Sequence, residues 1–182
     1  LLESGQVKPE LTMLTGGYPC AIHHSIDEQG QPVFMLIVSV PAFFSNRFAD
    51  ADRYSILFHE FVHYKQHQRG SPSLILQAGH PDQFSMSALE RARVLFETET
   101  EARVRECYFV EHYKLKLKSA LRLECDQLFS VGYKRFRLWT AENLIANFPQ
   151  ILKKRYTDVP NDLLFSIASV PLETDPFLED YQ

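Results

Sequence analysis

The chain has 182 residues, 45% hydrophobic and 23% charged, with a formal net charge of -4; this is the profile of a globular protein with apolar surface enough for a core, not of a disordered or fibrous one. So small a net charge gives no electrostatic pull toward nucleic acid or an acidic membrane, and no run approaches the roughly 18 apolar residues of a membrane span. Three scattered cysteines, Cys20, Cys107 and Cys125, are too few for a disulfide framework and read as reduced, buried thiols of a reducing cytosol.

The opening Leu-Leu-Glu-Ser-Gly-Gln lacks the basic and apolar regions of a secretion signal. Residues 1–17 read as loop, broken by Thr15-Gly16-Gly17. Tyr18 to His24 and Val33 to Val40 read as strands, and the turn-forming residues between them predict a hairpin. The second run, Val33-Phe34-Met35-Leu36-Ile37-Val38-Ser39-Val40, is apolar on both faces, which predicts a strand covered on both sides until Pro41 ends it.

From about Ala51 to Arg69 the pattern turns helical. Asp50 or Asp52 is placed to cap its start, and Gly70 with Pro72 supplies a stop. A loop runs through Asp82. Ser87-Ala88-Leu89-Glu90 then fits a capping box. The helix it opens meets no glycine or proline until Gly132, so a break is expected near Lys116 to Ser119. Leu138 to Leu164 reads as one or two further helices divided by Pro149 and Pro160, and the acidic tail from Pro171 reads as loop. The expected fold is α+β, in one domain over residues 1–182. Its catalytic core spans about 18–118 and a helical extension about 119–170.

Chemistry concentrates in His59-Glu60-Phe61-Val62-His63. Residues four apart share a helix face, so His59 and His63 offer two imidazoles to one point, as a tetrahedral zinc ion requires. Glu60 is placed to take a proton from attacking water. Ile56-Leu57-Phe58 before the motif and Phe61-Val62 inside it predict a buried helix, where two histidines and a glutamate are costly without partners. The opposing reading is an ordinary histidine pair, hydrogen-bonded in the core or exposed.

A catalytic zinc needs a third protein ligand. A continuation resembling the metzincin type would put a glycine at 66 and a third histidine at 69, but the chain has Gln66 and Arg69 there, so that route is closed. His67 lies about 12 Å from His59 along the axis, too far to share an ion, and reads as exposed or as a support. The next helix carries an apolar stripe, Ala88, Ala92, Leu95, Glu99, Ala102, Glu106, Phe109, Tyr113, with Glu99 on it. A carboxylate there needs a cation, which makes Glu99 the candidate ligand over a merely solvated one. Glu97 and Glu101 fall off the stripe and read as a solvated acidic face. Glu106 could pair with Arg103 or accept a hydrogen bond from a ligand histidine.

With His-Glu-Phe-Val-His at 59–63 and Glu-Thr-Glu-Ala at 99–102, the chain resembles the gluzincin branch of the zincin metallopeptidases. The resemblance covers chiefly residues 30–110. It implies a zincin-like fold, with a small sheet packed on an active-site helix and a glutamate-bearing helix, and further helices after them. It implies Zn2+ as cofactor, His59, His63 and Glu99 as ligands, and Glu60 as general base. It further implies that the strand before the active-site helix, Val33 to Val40, pairs with extended substrate. One departure stands out: the aspartate common after the alanine is Arg103 here, so the partner of the first histidine must come from elsewhere. The family's oxyanion-stabilising residue has four unranked candidates, Tyr108, His112, Tyr113 and Tyr133.

The function so implied is that of a zinc metalloendopeptidase acting on a protein or peptide substrate. Similar modules occur as bacterial effectors, which implies a host cytosolic protein such as actin as one substrate. The alternative is a zincin-fold binding or regulatory module without activity. Lys114, Lys116, Lys118, Arg122, Lys134, Arg135 and Arg137, later joined by Lys153-Lys154-Arg155, read as a solvated basic face rather than a docking surface. Cys20 beside His23 and His24 is set aside as a metal site, because a strand sends the two histidines to opposite faces.

Overall fold

The structure is a computed structural model that describes residues 7–13, 19–26, 29, 32–70 and 86–147. Three strands, β1 (Val7–Thr12), β2 (Cys20–Ile26) and β3 (Pro32–Ser39), form one sheet in the order β1-β3-β2. Among the described residues five helices follow: α1 (Val40–Phe43), α2 (Asp50–Gln68), α3 (Ala88–His112), α4 (Leu121–Val131) and α5 (Tyr133–Asn147). The fold is α+β. No helix among the described residues is long and apolar enough to cross a membrane.

The expected hairpin forms: β2 pairs antiparallel with β3, Cys20 opposite Val38 and Ile26 opposite Pro32. The loop expected over residues 1–17 is corrected, because Val7–Thr12 adds to β3 as a parallel strand, Val7 opposite Phe34. Only Val7 of β1 is fully buried, and Pro9 removes one ladder donor. Such a segment shows no alternation and suits only a sheet edge. β3 is less covered than expected. Its residues 33–37 are half-buried, with Val38 and Ser39 buried. It is also the central strand, with neighbours on both edges. The expectation that it pairs with substrate is therefore corrected, and the strand of the hairpin whose outer side has no partner strand among the described residues is β2.

α2 matches its expected span within a residue at each end. Neither aspartate is its cap residue, which is Ala49. Asp52 instead reaches back to accept the Ala49 backbone N–H at 2.7 Å. The same buried carboxylate accepts the backbone N–H groups of Lys118, at 3.1 Å, and Ser119, at 2.8 Å. One acidic side chain thus satisfies orphan donors at the start of α2 and ties down the connection that follows α3. At the other end Gly70 adopts φ 75°, the left-handed conformation that a helix stop favours.

The Ser87–Glu90 capping box opens α3. The helix stops at His112, earlier than expected, and residues 113–120, which include the expected break, connect it to α4. Gly132, at φ 81°, separates α4 from α5. α5 starts at Tyr133 rather than Leu138 because Gly132 is the only breaker there. Residues 14–18, 71–85 and 148–182 lie outside the described residues, and with them Thr15-Gly16-Gly17, Lys153-Lys154-Arg155, Pro149, Pro160 and the tail from Pro171.

Among the described residues two cores hold the elements together. A small one, Cys20, Val38 and Phe43 with Ile56 and Leu57, joins the sheet to α2. A larger one binds α3, α4 and α5 through Val104, Cys107, Leu121, Cys125, Leu128 and Phe136. Within it Cys107 and Cys125 form a disulfide, and Cys20 is the free cysteine among the described residues. The expectation of three reduced thiols is corrected. All three are buried, but packing α4 on α3 brings two of them together, which scattered spacing could not disclose.

Candidate metal centre

α2 and α3 run antiparallel, so that Ser55 faces Glu106, His63 faces Glu99, and Gln66 faces Thr98. Phe58 stacks on Phe109 at 4.2 Å between ring centroids and fixes this pairing with an apolar contact. The helical register then does what the spacing predicts. His59 and His63 present their Nε2 atoms to each other at 3.1 Å. Glu99 faces both, Oε2 3.5 Å from His59 Nε2 and Oε1 3.6 Å from His63 Nε2. Among the described residues this is the group whose ligand atoms could hold a metal ion.

The distances fit that use. Ligands at about 2.05 Å from a tetrahedral centre stand about 3.3 Å apart, from ordinary metal–nitrogen and metal–oxygen lengths. The 3.1 Å between the two Nε2 atoms is close to that value, and one ligand atom from each of His59, His63 and Glu99 lies within 4.8 Å of the others. The rear of His59 adds a second argument. Its Nδ1 lies 3.1 Å from Glu106 Oε2. An ionised carboxylate only accepts, so Nδ1 carries the proton and Nε2 presents a lone pair. Two imidazole Nε2 atoms at 3.1 Å cannot both present lone pairs to empty space. A proton or a metal cation must lie between them.

The surrounding charges favour a cation there. Burial and the nearby Arg103 charge push His59 down, but the Glu106 and Glu99 carboxylates outweigh them and hold it up at about 9. Glu99 is held down at about 2: burial opposes its ionisation, and the two imidazoles more than compensate. Glu106, fully buried, stays ionised against the cost of burial because of Arg103 and His59. It accepts from Ser55 Oγ at 2.6 Å and from Arg103 Nη1 at 2.6 Å. Both roles foreseen for Glu106 are therefore filled at once. Arg103, standing where the resemblance calls for an aspartate, does not orient the histidine itself. It neutralises the glutamate that does, and it also meets Glu124 of α4 at 3.6 Å.

Glu60 is half-buried beside this group. Burial raises its carboxyl above the usual range, against the pull of His63 and His59. Its Oε2 accepts the backbone N–H of Ile22 at 2.8 Å. That N–H belongs to β2, the edge strand of the sheet among the described residues, so the candidate base stands directly against that strand.

The other candidates fall away from the centre. His67 is buried rather than exposed, stacked on Phe34 with 5.9 Å between ring centroids. Cys20 is buried in the small core, where burial and then the Glu60 charge push its thiol up to about 12. His112 and Tyr113 pack together at the end of α3, about 20 Å from Glu99 along the helix at its usual rise. Tyr108 packs on Phe129, and Tyr133 lies in the larger core beside Arg137. None of the four oxyanion candidates joins the group. Glu97 and Glu101 are not simply solvated. Glu97 holds the buried Arg137 through two hydrogen bonds of 2.8 Å, and Glu101 accepts from Gln66 at 3.0 Å and from Arg105 at 2.7 Å.

Gln66 and Ser55 were not among the sequence candidates. Gln66 lies three residues after His63, close on the same helix face, and that spacing is the signal that could have found it. Its Oε1 stands 2.8 Å from His63 Nδ1. In comparisons with known proteins the chain matches no family model, no curated protein and no solved structure.

Proposed function

We propose that this chain is a zinc-dependent metallopeptidase of the gluzincin kind, hydrolysing peptide bonds in a protein or peptide substrate. The observation that carries the reading is the convergence of His59 Nε2, His63 Nε2 and the Glu99 carboxylate within 4.8 Å of one another, with Glu60 beside them. Two imidazoles and one carboxylate are a donor set suited to zinc, and three protein ligands leave a position open for chemistry. A zinc ion held there supplies Lewis acidity, polarising a carbonyl and acidifying water.

The chain's own residues do the rest. His59, His63 and Glu99 hold the ion. Glu60, whose carboxyl burial raises above the usual range, takes the proton of the attacking water and returns it to the departing amine. An extended substrate laid along the open side of β2 would pass the Ile22 N–H and so come against Glu60. Should the substrate be a host cytosolic protein such as actin, the Cys107–Cys125 pair would meet reducing conditions, and its burial protects it there.

The test is unbiased detection of new protein N-termini in a proteome, with purified actin as a parallel sample, treated with wild type or Glu60→Gln. New N-termini made by wild type and missing with Glu60→Gln are expected. Identical sets from the two proteins would overturn the peptidase reading.

A further inference from the structure

We propose that Gln66 is a positioning residue that sets which nitrogen of His63 faces the metal, and that Glu101 locks it in place. The inference rests on the metal-binding part of the proposed function and not on peptidase activity.

The argument starts from what Gln66 touches. Its Nε2 lies 2.9 Å from the backbone oxygen of Thr98 and 3.0 Å from Glu101 Oε2. Both of those atoms can only accept, so the amide NH2 group must face them. The oxygen and nitrogen of a glutamine side chain are usually hard to tell apart, but two acceptors on one side leave a single orientation. Oε1 must then face His63 Nδ1, at 2.8 Å. An amide oxygen is an acceptor only, which makes Nδ1 the protonated nitrogen and leaves the lone pair on Nε2. That lone pair is the one directed at His59 and Glu99.

Glu101 is itself held. Arg105 Nε donates to its Oε1 at 2.7 Å, and Arg69 Nη1 lies 3.5 Å from the same oxygen. The order of control runs from arginine to carboxylate to amide to imidazole. It parallels the other ligand, where Arg103 holds Glu106 and Glu106 holds His59. Gln66 is 4% exposed, so water cannot easily replace it behind His63. An imidazole without that rear acceptor is free to rotate or to shift its proton to Nε2, and either change costs metal affinity.

The experiment measures zinc affinity by chelator competition, and the tautomer of His63 by nitrogen-15 NMR of the metal-free protein. The proteins are wild type, Gln66→Met, Gln66→Glu and Glu101→Ala, each checked by circular dichroism. Met keeps the volume of Gln without its acceptor, and Glu restores an acceptor. Wild type is expected to hold the Nδ1-protonated form of His63. Gln66→Met should lose that preference and bind zinc about 10–100-fold more weakly, with Gln66→Glu recovering part of the loss. Glu101→Ala should fall between wild type and Gln66→Met, since the Thr98 oxygen still orients the amide. If Gln66→Met does not fold, the metal-free wild type still decides by nitrogen-15 NMR, because a His63 protonated on Nε2 rather than Nδ1 would overturn the inference. Wild-type zinc binding with an equally tight, folded Gln66→Met would overturn this inference alone. Wild type that binds no zinc would overturn the metal reading and this inference with it.

Discussion

Replacing Glu106 by alanine should injure stability and metal binding together. Glu106 is fully buried and receives hydrogen bonds from Ser55, His59 and Arg103, the last at 2.6 Å. Removing it leaves the Arg103 guanidinium with Glu124 at 3.6 Å and the field of Glu99, the Ser55 hydroxyl without this acceptor, and His59 Nδ1 without its anchor. Breaking a buried ion pair from one side costs about 3–5 kcal/mol. For a chain of this length each kcal/mol moves the melting temperature by about 2–4 °C, so a drop of roughly 6–20 °C is expected. Glu106→Gln, which keeps an acceptor and the volume, should lose less. Zinc affinity of Glu106→Ala should fall about 10–100-fold, as for other partners of ligand histidines. Melting curves by circular dichroism and chelator competition make the two measurements. A folded Glu106→Ala protein within about 2 °C of wild type, with undiminished zinc affinity, would refute the reasoning.

Protonation should compete with metal. His59 is raised from 6.5 to about 9 in the metal-free site, so its stabilising charge is fully present below pH 6.5 and is lost as pH rises through 9. Metal-free protein should therefore melt at progressively lower temperature over that interval, while zinc affinity rises over the same range as the competing proton leaves. Opposite trends in either measurement would contradict the assignment. Alkylating unfolded protein without reductant should add one label, on Cys20, and three after reduction. Three labels without reductant would remove the disulfide. Glu60→Gln should keep its zinc and lose about 10²–10⁴-fold in hydrolysis, the range for a general base, read with any substrate found by N-terminal profiling.

Much of the centre was legible because helical geometry converts sequence spacing into direction. His59 and His63 four apart on α2, and Glu99 on an apolar stripe of α3 with Glu106 two turns beyond it, are each statements about one face of a single helix. The structure brings all four together. Features that depend on how elements pack were not legible. Val33–Val40 reads as a strand, but only the pairing of Val7–Thr12 with it makes it central and, among the described residues, leaves β2 at the edge. Cys107 and Cys125 lie 18 residues apart on different helices, and nothing local announces that α4 folds back onto α3. Gln66 was visible in the sequence only as the residue that closed one route to a third ligand. Its orienting role needs Thr98 and Glu101, which arrive from the other helix. Glu97 and Glu101 show the same limit, since a solvated face and a set of arginine partners look alike until the partners are placed.

The central claim is that His59, His63 and Glu99 hold one zinc ion. Metal analysis of the purified chain tests it most directly, with X-ray absorption at the zinc edge, in wild type and His63→Ala. About one zinc per chain is expected, with two nitrogen donors and at least one oxygen at roughly 2.0–2.1 Å, and nearly complete loss in His63→Ala. Wild type without zinc after exposure to it, or zinc retained equally by His63→Ala, would contradict the account.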